Sequence, residues 1–170
     1  MDSRLTNDRA TFLIEKLALQ PHPEGGYYRE VYRSASRVEP ADERPGRSAL
    51  TTIYFLLTAG QWSRWHRVLS DEVWHFYEGA SLELFWLDVD KDERTRAVLG
   101  TIDEGSNQRP VQVVPAGCWQ AARSTGDYTL VGCTVGPGFD FADFRLWKEG
   151  SAEAERIRLR FPGICDDSQQ

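Results

Sequence analysis

Residues 60–79 read GQWSRWHRVLSDEVWHFYEG, two β-prone runs broken at Leu69, Ser70 and Asp71. On an extended strand ending at Val68, the side chains of residues 62, 64, 66 and 68 share one face. After the turn, a returning strand is expected to bring residues 72, 74 and 76 to that same face. His66 and Glu72 would then look into one space. An imidazole beside a carboxylate can ligate a metal, move a proton or satisfy a buried hydrogen-bond need, and the residues alone leave all three open.

Strand-like runs continue on both sides of this stretch. They cover residues 27–33, with Tyr28 and Tyr32 expected on one face, then 49–58, 61–68, 72–77, 82–87, 95–99, 112–114, 119–122 and 128–135. Gly60, Gly79, Gly105, Gly117, Gly126 and Gly138 punctuate them. Many short strands at this spacing predict an all-β sandwich, barrel or jelly roll rather than a βαβ fold. A helix is expected over residues 7–19, capped by Thr6 or Asn7 and ended by Pro21 and Pro23, because Ala10, Leu13, Ile14, Leu17 and Ala18 recur at three- and four-residue spacing. A closing helix is expected over 151–160, with Ser151 as cap and Phe161, Pro162 and Gly163 as stop. The 170 residues fit one domain, with the barrel over about 27–147.

A net charge of −6 with no dense Lys/Arg cluster argues against nucleic acid as a partner. Two local pairs, Arg29 with Arg33 and Arg44 with Arg47, are either solvated surface or a hold for one anionic small molecule. Cys118, Cys133 and Cys165 are odd in number and widely spaced, which argues against a disulfide framework or structural zinc and fits a reducing compartment. The polar residues 1–10 and the short apolar run near 53–57 predict a soluble, cytoplasmic protein without a membrane segment.

The spacing Gly60, five residues, His66, one residue, Val68, three residues, Glu72, six residues, Gly79 resembles the first cupin motif with every interval kept. That motif carries a second histidine where this chain has Val68. The second cupin motif resembles residues 115–120, PAGCWQ, with Gln120 in place of its histidine and Arg109 in place of its leading glycine. Further segments, PHPEGGY at 21–27, TIYFLL at 52–57, WHR at 65–67, DEVW at 71–74, VPAG at 114–117 and PGFDFADF at 137–144, are similar to the type-5 cupins, domain-of-unknown-function family 985. The resemblance implies a cupin double-stranded β-helix, an RmlC-like jelly-roll barrel with an N-terminal helix and a short C-terminal helix. It also implies a homodimer, with no settled activity.

Cupin metal centres use three histidines and a glutamate. The positions that match here are His66, Glu72 and Gln120, and Val68 offers no donor, so no cofactor is expected, or at most a weakly held divalent transition metal. The resemblance to deoxysugar epimerases instead makes His66 a base, Glu72 the group that fixes its tautomer, and Tyr77, or Tyr54, an acid by residue type. Simple alternation puts Tyr77 on the face opposite Trp74 and Phe76. Arg64, Trp65, Trp74, Cys118, Trp119 and Gln120 are candidate ligand contacts, with core packing as the alternative for the tryptophans and for Cys118. His75 is expected to point outward or into a subunit interface, and His22 to sit in a loop or lean over a partner's pocket. Phe139, Phe141 and Phe144 are expected to bury rings at a barrel or dimer seam. The expected ligand is a small polar metabolite: a nucleotide, a nucleotide sugar or a carbohydrate. Isomerase or epimerase chemistry leads, with noncatalytic binding and a metal-dependent oxygenase as alternatives.

Overall fold

The computed structural model describes residues 3–162, with side chains from Arg9 onward. Cys165 and Gly163 lie outside the described residues. Helix α1 (Ser3–Lys16) is followed by β1 (Gln20–Pro21), β2 (Tyr27–Arg33), β3 (Arg37–Val38), β4 (Arg47–Ser48), β5 (Thr51–Thr58) and β6 (Trp62–Val68). Then come β7 (Asp71–Gly79), β8 (Leu82–Asp88), β9 (Glu93–Leu99), β10 (Val111–Val114), β11 (Trp119–Ser124), β12 (Tyr128–Gly136), β13 (Phe144–Leu146) and α2 (Ala152–Arg160).

The strands form a six-stranded sheet in the order β1-β2-β5-β12-β7-β10, a five-stranded sheet in the order β13-β6-β11-β8-β9, and a small β3–β4 pair. Alternation sends Phe55, Leu57, Trp74 and Val131 from the first sheet against Leu82, Leu84 and Ala122 from the second, and these residues make one buried cluster. This is the expected jelly roll, and it changes one local expectation. β6 and β7 belong to different sheets, so the turn at Leu69 and Ser70 is a corner between layers rather than a hairpin. His66 and Glu72 therefore meet from opposing walls of the interior rather than from one face.

Each outer face takes a helix. Leu13 and Leu19, with Ile14 and Leu17, cover Leu56, Leu130, Tyr54 and Tyr128 on the six-stranded sheet. The first helix starts at Ser3, so neither Thr6 nor Asn7 is its cap, and it ends at Lys16 because Ala18 turns to a φ of 51°. Pro21 lies in β1. The closing helix has the expected cap: the Ser151 hydroxyl accepts from the Ala154 N–H at 3.1 Å. Its Ile157 joins Trp65, Phe85 and Trp119 on the outer face of the five-stranded sheet.

Two bulges interrupt the six-stranded sheet, and the first corrects the expected alternation, while Tyr77 at the second stays opposite Trp74 and Phe76 as expected. The β2–β5 register slips between Glu30 and Tyr32, so Tyr28 lines the interior while Tyr32 is 53% exposed. The β7–β12 register passes from Glu78 to Phe76, leaving Tyr77 as the extra residue.

Candidate functional site

The site is built by the turn between β1 and β2. Gly25 and Gly26 take φ values of 106° and 70°, and a Cβ on Gly25 would stand 2.5 Å from the Trp62 carbonyl oxygen, so only glycine lets this turn press onto β6. The Arg64 N–H donates to the Glu24 carbonyl at 2.6 Å, and the Arg64 guanidinium holds the Pro23 carbonyl. Glu24 is thereby carried into the interior, where it is 6% exposed.

There Glu24 meets His66. Its Oε2 lies 3.2 Å from His66 Nε2, and His66 Nδ1 lies 2.8 Å from the Arg64 carbonyl oxygen. A carbonyl can only accept, so Nδ1 carries the proton and Nε2 faces Glu24 with its lone pair. Burial pulls the His66 pKa down to about 4 and pushes the Glu24 carboxyl well above its ordinary range, so the carboxyl keeps its proton against Nε2. His22 flanks the pair. Its Nδ1 accepts from the Glu24 N–H at 3.2 Å and stands 3.5 Å from Glu24 Oε2, and burial holds its pKa down to about 4.

Opposite stands Glu72. Gln120 Nε2 donates to its Oε2 at 2.5 Å, and Gln120 Oε1 accepts from Trp74 Nε1 at 3.1 Å, so both ends of the amide are committed. Burial raises the Glu72 pKa to about 7 against the lowering effect of its hydrogen bonds with Gln120 and Cys133. Between these walls lies a cavity of about 570 Å³. Buried His66, Glu24, Glu72, Val68 and Cys133 line its depth, Tyr28, Phe139, Phe141 and Phe144 its side, and exposed Arg29, Glu30, Arg33 and Asp140 its rim. Phe144 places its ring 5.6 Å from that of His66 and 6.0 Å from that of His22.

Several sequence candidates lie elsewhere. Tyr77 is 49% exposed on the outer face of the six-stranded sheet, its ring over Gly132 and 6.0 Å from that of Tyr54, so neither tyrosine reaches the cavity. Trp65 and Trp119 pack under α2 on the outer face of the other sheet. Trp74 is core and touches the site only by holding Gln120. Cys118 is a buried core thiol, raised to about 11 chiefly by burial, on a groove beside α2. The cysteine in the cavity is Cys133. Arg64 holds the turn rather than lining the cavity. His66 pairs with Glu24 and not with Glu72, and Gln120 orients Glu72 rather than facing the cavity. His22 leans over this chain's own cavity. His75 pairs across from Val111 on β10, two residues from Tyr77 on β7.

Sequence reasoning missed Glu24 and the Phe139–Phe144 wall, and it gave His22 to a loop or a partner's pocket rather than to this chain's own cavity. Their signal lay in the family-like segments at 21–27 and 137–144, where a His-Pro-Glu-Gly-Gly run marks a turn with a carboxylate at its tip. The residues do not fit the cupin metal cage: Val68 has no donor, Gln120 has turned its carbonyl to Trp74, and no group of three or more His, Cys, Asp or Glu among the described residues could hold an ion.

Two facing antiparallel sheets with a polar pocket between them define a cupin-type barrel. The model of the Cupin superfamily (DUF985) matches residues 11–147, and the chain belongs to that family. A crystal structure of a protein from Shewanella oneidensis has 36% identity over 92% of each chain and a TM-score of 0.77. A hypothetical protein from Leishmania major has 35% identity over 91% of this chain and 93% of that one, with a TM-score of 0.78. Bacillus subtilis oxalate decarboxylase shares the fold alone, at 14% identity over 83% of this chain and 34% of that one, with a TM-score of 0.56. No curated protein matches the chain. Among the described residues, no helix is long and apolar enough to cross a membrane.

Proposed function

We propose that the chain binds a small polar metabolite in this cavity and moves a proton on it, an isomerase- or epimerase-type reaction in which Glu24 and His66 act as one acid–base unit. The observation that carries this reading is the buried contact of 3.2 Å between Glu24 Oε2 and the lone-pair nitrogen of His66. The free oxygen of the carboxyl takes a proton from carbon next to a carbonyl while the shared proton passes to Nε2. The electron pair of the C–H bond goes into the enolate, and the return transfer reverses each step. The cavity volume of about 570 Å³ suits a sugar or a nucleotide-linked sugar, whose ring faces pack on Tyr28 and Phe139. In heavy water, wild-type protein is expected to place deuterium beside the carbonyl of free or nucleotide-linked ketosugars, and His66→Ala to slow this by about 100-fold or more.

Noncatalytic binding is favoured by a different observation: both ring nitrogens of His66 already have protein partners, and among the described residues Tyr28 is the one tyrosine lining the cavity, with its ring against His22. Absence of exchange across the panel, with a small molecule retained in native mass spectra, selects that reading.

The same proposal takes the chain as a homodimer in a reducing cytoplasm, where Cys118 and Cys133 remain thiols. The support is the β7–β10 part of the outer face of the six-stranded sheet, beyond the residues that α1 packs on, where Tyr77, Val111 and Val113 are 49%, 46% and 48% exposed and share one side with Val73. Sedimentation is expected to give a dimer that Val113→Asp splits; a wild-type monomer at micromolar concentration refutes it.

A further inference from the structure

Two carboxyls, Glu24 and Glu72, face the cavity from opposite sheets, and their surroundings differ. Glu24 has His66 and His22 against it. Glu72 is 7% exposed and has only the Gln120 amide and the Cys133 thiol. It has no cationic partner among the described residues. The two arginines that line the cavity are spent elsewhere: Arg33 grips Glu30 and the Phe139 carbonyl, and Arg29 reaches the Leu17 carbonyl at 3.1 Å. In the same cavity one wall is a set of aromatic rings, Tyr28, Phe139, Phe141 and Phe144, which pack edge to face with centroids 5.0 to 6.0 Å apart among the three phenylalanines.

A buried carboxyl without a counter-charge, in a cavity also lined by aromatic rings whose faces carry negative quadrupoles, is complementary to one kind of group. We propose that the ligand of this cavity carries a protonated amine, as an amino sugar does, and that Glu72 is its counter-ion while the phenylalanine wall takes its cationic face. The assignment rests on the cavity being the binding site, as proposed above. It gives the two carboxyls separate tasks, Glu24 with His66 on the reacting carbon and Glu72 on the ammonium. It also accounts for Gln120 at the position of a motif histidine: a neutral amide donor fixes the Glu72 carboxylate without supplying a rival cation.

The test is calorimetric titration of the full chain with three matched sets of probes on hexose, cyclohexyl and benzyl frames, each set an amine, its hydroxyl analogue and its carboxylate analogue. The amine is expected to bind at least about tenfold more tightly than its analogues. At about pH 6 it should release close to one proton per site, read from buffers of different ionisation enthalpy, because Glu72 must ionise to meet it while Glu24, His22, His66 and Cys133 face the same space. Glu72→Gln, which keeps an acceptor for Gln120, is expected to abolish both the preference and the proton release. Hydroxyl or carboxylate members that bind as well as the amine overturn the charge assignment and leave the cavity reading standing. Failure of every member at millimolar concentration overturns both.

Discussion

Asp143→Ala is expected to lower the unfolding free energy by about 3 kcal/mol and to loosen the aromatic wall of the cavity. Asp143 is 4% exposed, in the short 3-10 helix Phe141–Asp143. Its Oδ1 accepts from Arg47 Nη2 at 2.8 Å and its Oδ2 from Arg47 Nε at 2.9 Å, a bidentate fork, while Arg44 Nη1 adds a third bond at 3.0 Å. Removing the carboxylate leaves Arg47, itself 7% exposed, without its counter-charge. The cost stays at the low end of the range for broken buried pairs because Arg44 keeps Asp42 and Ser70, and Arg47 keeps the Pro45 carbonyl. Hydrogen bonding to Arg47 holds the Asp143 carboxyl below its ordinary 3.8. A depressed acid contributes stability above its unfolded pKa and loses it as pH falls through the folded value, so the difference between variant and wild type should shrink below about pH 4. Urea unfolding at neutral pH measures the loss, and amide exchange across Phe139–Phe144 measures the loosening. A loss under about 1 kcal/mol would show that the fork behaves as a surface pair.

This clamp also explains what the sequence conceals. The strands were legible because Val, Ile, Thr and aromatic residues alternate along them, and because turn residues fall at their ends. His66 and Glu72 were legible as cavity residues for the same reason. Alternation states which residues share a face of one strand, but not which sheet the next strand joins, so β6 and β7 read as a hairpin when they are opposite walls. Nor can it see bulges: one extra residue in β2 separates Tyr28 from Tyr32, whereas Tyr77 faces outward as alternation expects. Glu24 and Asp143 sit in turns without period, and their partners lie 42 and 96 residues away, as His66 and Arg47. Tryptophan content could not choose between the two faces of the five-stranded sheet, since burial under α2 and burial in the interior demand the same apolar side chain.

Glu72→Gln is expected to make the ligand-free protein more stable in mild alkali, by about 2–3 kcal/mol near pH 8.5, and to change little near pH 5. An acid whose pKa rises on folding binds more protons in the folded state than in the unfolded one. Its contribution therefore falls as pH climbs from the ordinary 4.5 toward about 7 and stays lost above that. His22 and His66 act in the opposite sense: each is pulled from 6.5 to about 4, so stability rises as pH passes from about 4 to 6.5. Between pH 5 and 6.5 these gains offset the losses from Glu72 and Glu24, and the wild-type melting temperature should be nearly level. Beyond about 6.5 the histidines contribute no further change while the carboxyls still ionise, so wild type should decline. Glutamine keeps the acceptor for Gln120 Nε2 and carries no charge to desolvate, which removes the Glu72 share of the decline. Thermal melts of both proteins from pH 5 to 9 decide the matter. Parallel curves, or a variant less stable than wild type at pH 8.5, would mean that Glu72 already has a counter-charge in the free protein. The proposed ammonium ligand makes the converse prediction within the same experiment. An amine probe should restore wild type at high pH by supplying that charge, and it should leave Glu72→Gln unchanged, because the glutamine has nothing for it to neutralise.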